Sequence, residues 1–294
     1  MTESVHIPAP RQLVPGISEK DYLALLWAHQ ELEHPSLAAR LTSVIGTPVE
    51  VGFKLLPVSW YHQVQRGVDR GLRRALNAAI TTLHPERDRH GHVTRHRMLA
   101  ATTGAAGGFF GLPGLLLELP VTTTVMLRAI ASVARSEGED LSSMETRLAC
   151  IQVFALGART EDDDAADTGY YGIRLALSLS VSSALHHVTA HGLRAEGAPV
   201  LARLLGLIAS RFGIAVSNKA AAQVIPVIGA AGGAAINLVF MQHFTDAARA
   251  HFLIRRLERH YGEAAIEAAY QRLDQDRPGF APDANRGTSG NTRG

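Results

Sequence analysis

Apolar side chains recur along this chain every three or four residues, the spacing of α-helices, and no convincing run of β-strand alternation is present. The clearest case lies between residues 60 and 83, where one face is apolar and the arginines lie mostly off it. That face comprises Trp60, Val64, Val68, Leu72, Ala75, Leu76, Ala79 and Leu83, and the arginines are Arg66, Arg70, Arg73 and Arg74. The periodicity predicts an all-α protein.

Capping and stop signals mark where several helices begin and end. Ser18, with Asp21 three residues later, resembles a capping box and starts a helix that runs to about Glu33. Thr47 is expected to cap a second helix whose first residue is Pro48, and Pro57 to kink or restart that helix. Further helices are expected at residues 143–157, 170–187, 199–212 and 263–273, with a long one that ends near residue 261.

Two apolar segments rich in glycine and proline form the predicted centre of the fold. The first, residues 104–120, opens an apolar run from 99 to 134 in which Pro113 and Pro120 favour a broken helix or a helical hairpin. The second, residues 223–241, repeats the same chemistry. We expect the two segments to pack together, because small residues let helices approach closely in apolar surroundings. The packing residues are Gly104, Gly107, Gly108, Gly111, Gly114, Gly229 and Gly233, with Gly107 and Gly111 as a GxxxG pair.

The length of 294 residues is enough for a sizeable core, as one large domain or two small ones. We expect a single helical domain at residues 17–275, built as a multi-helix bundle around the two packed segments. Residues 1–16 are predicted to be a flexible N-terminal tail. Residues 276–294, rich in Pro, Gly, Asn and Arg, are predicted to be a disordered C-terminal tail.

Composition narrows the compartment and the class of partner. Charged residues make up 19% of the chain and the net charge is only +2, which gives no indication of nucleic-acid binding. Cys150 is the single cysteine, so no intrachain disulfide forms, and the N-terminus lacks the apolar core of a signal peptide. We therefore expect a cytoplasmic protein, and the two apolar segments favour a place at the inner face of the cell membrane.

Charge is unevenly distributed along the chain. Residues 60–97 hold eight arginines against three acids, and residues 249–261 hold four arginines against one glutamate. Basic zones beside apolar segments suit an anionic lipid surface, which attracts each basic residue by about 1 kcal/mol. Ordinary solvated helix faces would show the same pattern. Residues 137–167 are acidic, and their run at 161–167 lacks the calcium-loop spacing and is read as a solvated loop.

Two segments, residues 111–141 and 220–262, resemble the EcsC family of bacterial proteins. The first is a Gly/Pro-rich run that ends in acid-x-Pro, and the second is a PxxGA block followed by Asn. The matching residues are Gly111, Pro113, Gly114, Glu118, Pro120, Arg128, Pro226, Gly229 and Asn237. The resemblance covers roughly residues 47–262 and implies a helical fold. It also implies a link to ABC-type export, through the transporter operon that gave the family its name, but no particular reaction.

Glu118 and Arg128 are the only charges in the apolar run, so each needs a partner or water. The candidate polar site is formed by Glu118 and Arg128, joined by Asn237. The alternative is a structural role in holding the fold, either as an internal ion pair or with Arg128 extending its charged end to water. No catalytic or metal-binding residue is predicted. His92 and His96 have the spacing of two ligands on a helix, but neighbouring arginines favour a surface linker. The same applies to His84 and His90.

The expected function is that of a non-catalytic, peripherally membrane-associated protein, accessory to an envelope or ABC-transport process. Its partner would be inner-membrane lipid or a membrane protein, and no cofactor is expected. The membrane or ligand contact would be formed by Phe109, Phe110, Leu112, Leu115, Leu116 and Leu117. One alternative is a soluble protein that binds a lipid or another apolar small molecule between the two glycine-rich segments. The other is a hydrolase built around Glu118, Arg128 or the histidines.

Overall fold

The computed structural model describes residues 16–33, 37–57, 59–83, 93–158, 169–191, 199–225 and 229–275, without the side chains of 93–113, 191, 229–231 and 275. Ten α-helices and no β-strand occur in these ranges, which confirms the all-α prediction. The helices are α1 (Glu19–Glu33), α2 (Leu37–Ile45), α3 (Val49–Leu55), α4 (Ser59–Thr82), α5 (Val93–Ser136), α6 (Met144–Leu156), α7 (Tyr170–His191), α8 (Pro199–Val224), α9 (Gly229–Tyr261) and α10 (Glu263–Gln275).

Two capping signals are identified near the start of the chain, and the structure confirms one of them. The Ser18 hydroxyl donates to the Asp21 carboxylate at 2.8 Å and accepts from the Asp21 amide at 3.2 Å, which caps α1. Pro57 separates α3 from α4 as expected. Thr47 does not cap α3, because Pro48 occupies the N-cap position and no side chain hydrogen-bonds the helix start.

The apolar face predicted on α4 points into the core. Val68 and Leu72 are fully buried on this face, and the four arginines of α4 are exposed on the opposite side. The buried side also carries Gly67 and Gly71, a GxxxG pair that faces α5. A Cβ atom at Gly71 would lie only 2.8 Å from Thr123 Oγ1. These small residues allow α4 and α5 to approach closely.

Helix α5 is a single helix of 44 residues, so the prediction that Pro113 and Pro120 break this segment is wrong. A proline inside a helix costs about 3 kcal/mol. Leu119 and Leu127 lie on either side of Pro120 and are almost completely buried, and each such side chain contributes about 1.5–3 kcal/mol. Burial of a continuous helix against the core therefore outweighs the two prolines. The Thr124 hydroxyl also donates to the Pro120 carbonyl, at 2.8 Å.

Helices α5 and α9 carry the two glycine-rich segments and form the most extensive helix contact in the described structure. They run in the same direction. Glu118 of α5 meets Asn237 of α9 through Lys219 at one end, and Glu139, just after α5, binds Arg255 of α9 at the other. The prediction that these two segments pack together is confirmed at the level of the helices.

The core is continuous, and one cluster of buried apolar residues extends from Ile17 to Leu273. Of the glycines predicted to mediate the α5–α9 contact, Gly114 and Gly233 are buried. The surroundings of Gly104, Gly107, Gly108, Gly111 and Gly229 lie outside the described side chains, and the predicted tails lie outside the described residues apart from Gly16.

Candidate functional site

A buried polar centre lies where α5, α8 and α9 meet. The Lys219 ammonium of α8 donates one hydrogen bond to Glu118 Oε1 at 3.1 Å and another to Asn237 Oδ1 at 2.5 Å. The Thr122 hydroxyl, one turn after Glu118 on α5, donates to the same carboxylate oxygen at 2.9 Å. A single ammonium group therefore joins three helices.

Burial dominates the electrostatics of this polar centre. The Lys219 side chain is 1% exposed and the Glu118 side chain 5% exposed. Burial lowers the pKa of Lys219, while the adjacent Glu118 carboxylate acts in the opposite direction. The Phe240 ring adds a cation–π contact, with its centroid 5.0 Å from the ammonium. Glu118 Oε2 has no hydrogen-bond partner in the described part of the chain.

The structure brings together two of the three residues predicted to form this site. Glu118 and Asn237 share Lys219, but Arg128 is exposed and takes no part in the centre. The cause is the continuity of α5, because ten helical residues turn Arg128 about 80° away from Glu118 and move it about 15 Å along the axis. Sequence reasoning did not select Lys219, although it is one of only three charged residues between positions 199 and 243.

The predicted apolar contact on α5 is divided between core and surface. Leu115 is fully buried, so it belongs to the core and cannot face a bilayer or a ligand from outside. Leu116 is half-buried, whereas Leu117 is 82% exposed and remains available. Phe109, Phe110 and Leu112 lie outside the described side chains.

Two of the described helical segments are long and apolar enough to cross a membrane, Gly114–Ser136 and Pro199–Val224. About half of the most apolar window in each is buried inside the protein, 56% and 50% respectively. Core helices of soluble proteins have the same properties, so length and composition are weak support for a span. Glu118 lies in the first segment and Lys219 in the second, and the two side chains meet inside the protein.

Four other buried titratable groups, two histidines, a tyrosine and the cysteine, are enclosed by the protein core. The Nε2 of His243 donates to the Gly157 carbonyl, and burial lowers the pKa of His243 to about 4. The Tyr170 hydroxyl lies 2.7 Å from His251 Nδ1. Cys150 is fully buried, and burial raises the pKa of its thiol. These groups have the surroundings of structural residues.

No group of three or more His, Cys, Asp or Glu side chains lies close enough to hold a metal ion among the described residues. The predicted surface linker with His84, His90 and His92 lies outside the described residues, as does the acidic loop at 161–167. The side chain of His96 lies outside the described ones as well.

The second basic zone, residues 249–261, is engaged in ion pairs, contrary to the expectation that it faces lipid. Glu139 accepts from Arg255 at 2.9 Å and also from Arg259, and Arg256 lies 3.0 Å from Glu137. Burial would raise the pKa of Glu139, but Arg255 and Arg259 outweigh it and lower the pKa. Both acids lie between the end of α5 and the start of α6, where they contact α9. The acidic zone (residues 137–167) and the basic zone (residues 249–261) of the sequence therefore meet here. Glu139, Arg255 and Arg259 line a cleft of about 530 Å³.

The first basic zone, residues 60–97, differs from the second because its described arginines are not engaged in ion pairs. We call Arg66, Arg70, Arg73 and Arg74 the arginine row of α4; all four are exposed, and their spacing places them on one side of the helix. None of the four makes an ion pair with another described residue. The row therefore presents four cations to solvent that have no acidic partner among the described side chains, although Arg66 also donates to the backbone carbonyl of His62 at 3.4 Å.

An apolar surface adjoins the start of α4. We call residues 51–57 and 59–61 the α3–α4 corner. Phe53, Leu55 and Tyr61 are exposed here, and Lys54 is exposed between the first two. Behind them lies a cleft of about 280 Å³, close to the lower end of the volume range of ligand clefts. Its lining is Phe53, Leu56, Pro57, Trp60, Tyr61 and Val64 with Ser217 and Ala220 of α8.

A family model described as the EcsC protein family matches residues 27–257, well over half of the chain. The matched region contains the whole buried polar centre, the arginine row and the α3–α4 corner. No curated protein and no solved structure matches the chain significantly.

Proposed function

The chain belongs to the EcsC protein family, and we propose that it is a non-catalytic protein that docks on the cytoplasmic face of an anionic membrane. There it would serve an envelope or ABC-transport process as an accessory component. The observation that carries this proposal is the arginine row of α4, four exposed cations without a carboxylate partner among the described residues.

The arginine row is distinguished by its density: four exposed cations share one side of a single helix, and none of them has a carboxylate partner among the described residues. Arg174 binds Glu258 through two hydrogen bonds, and Arg255 binds Glu139 in the same way. Those guanidinium groups stabilise the fold, whereas the arginines of α4 have no such role in the described structure. Near an anionic bilayer each basic residue contributes about 1 kcal/mol, and guanidinium groups match phosphate geometry well.

The buried polar centre supports a structural role for the residues that would otherwise suggest an enzyme. Glu118, Lys219 and Asn237 are shielded from solvent in this conformation, so a substrate has no direct access to them. If the helices separated these partners, a charge would be left buried without compensation, which is strongly destabilising. The three helices are therefore constrained to pack so that the partners stay in contact. The polar centre therefore fits a structural role, in which it fixes the relative positions of α5, α8 and α9.

The experiment is co-sedimentation of the full chain with vesicles of phosphatidylcholine, alone or mixed with phosphatidylglycerol. We expect binding to the anionic vesicles at low salt and release as the salt concentration rises, because salt screens exposed charges. Binding that is absent at low salt, or equal on the two kinds of vesicle, would contradict the proposal.

A second candidate function is favoured by the cleft of the α3–α4 corner, whose apolar lining suits an alkyl chain. It lies between α3, α4 and α8, not between the glycine-rich segments where the sequence suggested a pocket. In this alternative the protein is a soluble lipid carrier. Native mass spectrometry of gently extracted protein would then show one co-purified lipid per chain, and an empty protein would exclude a tightly bound one.

A further inference from the structure

We propose that the α3–α4 corner is the element that enters the bilayer, with Phe53, Leu55 and Tyr61 as its apolar anchors. This inference rests on the proposed docking to anionic membranes and names the part of the molecule that penetrates. The partner that the α3–α4 corner contacts is a bilayer that contains anionic phospholipid.

The exposure of the corner is the first argument. Phe53 is 43%, Leu55 50% and Tyr61 69% exposed, and they lie close together in sequence across one helix junction. Burying an exposed apolar side chain of this size contributes up to about 1.5–3 kcal/mol. Tyr61 and the half-buried Trp60 suit the interface between headgroups and acyl chains, where amphipathic rings concentrate.

The charge around the corner is the second argument, and it identifies the lipid. Lys54 is exposed within the corner, and the arginine row begins at Arg66, five residues after Tyr61. The row extends about 12 Å along α4, at 1.5 Å per residue. The acids of α3 and α4 are Glu50 and Asp69, so the two helices together carry five cations and two anions. This excess is complementary to phospholipid headgroups of negative charge.

The attachment of the corner to the body is the third argument. A Cβ atom at Gly52 would lie 1.9 Å from the carbonyl oxygen of Ala221, so the backbones of α3 and α8 are in direct contact there. Val49 and Gly52 are buried against the core, whereas Phe53 and Leu55 point outward. A short helix fixed in this way presents its apolar side chains without having to order a loop first.

Other exposed apolar residues lack this combination and provide the matched control. Leu175 and Leu179 of α7 are 73% and 80% exposed, more than the corner leucine. The cation beside them, Arg174, is bound to Glu258 at 2.6 Å and 2.9 Å. Exposure alone therefore does not distinguish the corner. The corner combines exposed aromatic side chains with Lys54, which has no acidic partner among the described residues, and it is continuous with the helix that carries the arginine row.

The test uses the two tryptophans of the chain, Trp27 and Trp60. In the Trp27→Phe variant of the full chain, Trp60 is the only tryptophan and reports on the corner. We expect its emission to shift to shorter wavelength on phosphatidylglycerol vesicles and to be quenched by lipids brominated along the acyl chain. In the matched control, Trp27→Phe/Trp60→Phe/Leu179→Trp, the reporter lies on α7 and neither change is expected.

A second measurement covers the anchors themselves. Phe53→Ser/Leu55→Ser/Tyr61→Ser should weaken partition into anionic vesicles by at least about tenfold, whereas Leu175→Ser/Leu179→Ser should leave it within about twofold. Circular dichroism shows whether each variant is folded. If the triple variant does not fold, the emission shift and quenching of Trp60 in the Trp27→Phe variant decide the inference.

The outcomes separate the inference from the function on which it rests. If the wild-type protein binds anionic vesicles while Trp60 shows neither shift nor quenching, the protein docks through another face and the inference is wrong. If the wild-type protein binds no vesicles, the proposed function itself fails.

Discussion

Lys219 on α8 and Glu118 on α5 form an ion pair 101 positions apart in the chain, with both side chains closed off from water. Asn237 on α9 accepts a second hydrogen bond from the same ammonium group. This pair fixes how the two glycine-rich helices and α8 pack, and it accounts for the charged residue in the middle of an apolar run.

Replacing Lys219 by Met should lower the free energy of unfolding by about 3–5 kcal/mol, because Glu118 is left buried without its partner. Urea denaturation measures the change. Arg203→Gln, at an exposed position of the same helix, is the control and should stay within about 0.5 kcal/mol. The double variant Glu118→Leu/Lys219→Met should regain most of the loss. A Lys219→Met variant as stable as the wild type would show that the pair does not hold the helices.

Gly52→Ala should destabilise the protein by about 3 kcal/mol or more, through overpacking against a backbone that cannot rotate away. The added Cβ would overlap the Ala221 carbonyl oxygen at 1.9 Å. Gly206→Ala in α8 is the matched control, because nothing lies within 4 Å of its Cβ position. There alanine should stabilise the helix by about 1 kcal/mol. Equal thermal shifts for the two variants would contradict the close α3–α8 contact.

The stability of the protein should fall as the pH is lowered from 7 towards 4, in part because of His243. Burial lowers its folded pKa from 6.5 to about 4, with a smaller contribution from Arg40, while the Gly157 carbonyl and Asp246 act in the opposite direction. Between these values the unfolded chain binds a proton that the folded chain does not, so up to about 3 kcal/mol is lost.

The measurement for His243 is urea denaturation at several pH values, compared with His243→Gln. The glutamine has no proton to gain, so its curve should be flatter between pH 7 and 5. His186→Gln replaces an exposed histidine of α7 and is the matched control. It should not flatten the plot of unfolding free energy against pH. Parallel curves for the wild type and His243→Gln would show that His243 is not buried as a neutral ring.

Local patterns predicted the helices well where the deciding interactions are close in sequence. The Ser18–Asp21 cap and the inward face of α4 each follow from residues within a few turns. Helix α2 carries no such signal and was not predicted, and α8 continues to residue 224 beyond the predicted end at 212. The continuity of α5 through Pro120 depends on its burial, which local propensity does not contain.

The polar centre shows the same limit. Glu118 and Asn237 were selected because a charge and an amide stand out in apolar sequence, and they do meet. Arg128 was selected for the same reason, but its helical phase places it outside. Lys219 supplies the partner from a third helix, and only the tertiary arrangement identifies which of the sparse charges of α8 turns inward.

The most direct test of the central claim compares two fourfold variants that remove the same charge. Arg66→Gln/Arg70→Gln/Arg73→Gln/Arg74→Gln eliminates the arginine row, and Lys20→Gln/Arg128→Gln/Arg203→Gln/Arg272→Gln removes four exposed cations elsewhere. Affinity for phosphatidylglycerol vesicles at low salt should fall at least about tenfold in the first variant. It should fall far less in the second. Equal losses in the two variants, or none in the first, would contradict docking through α4.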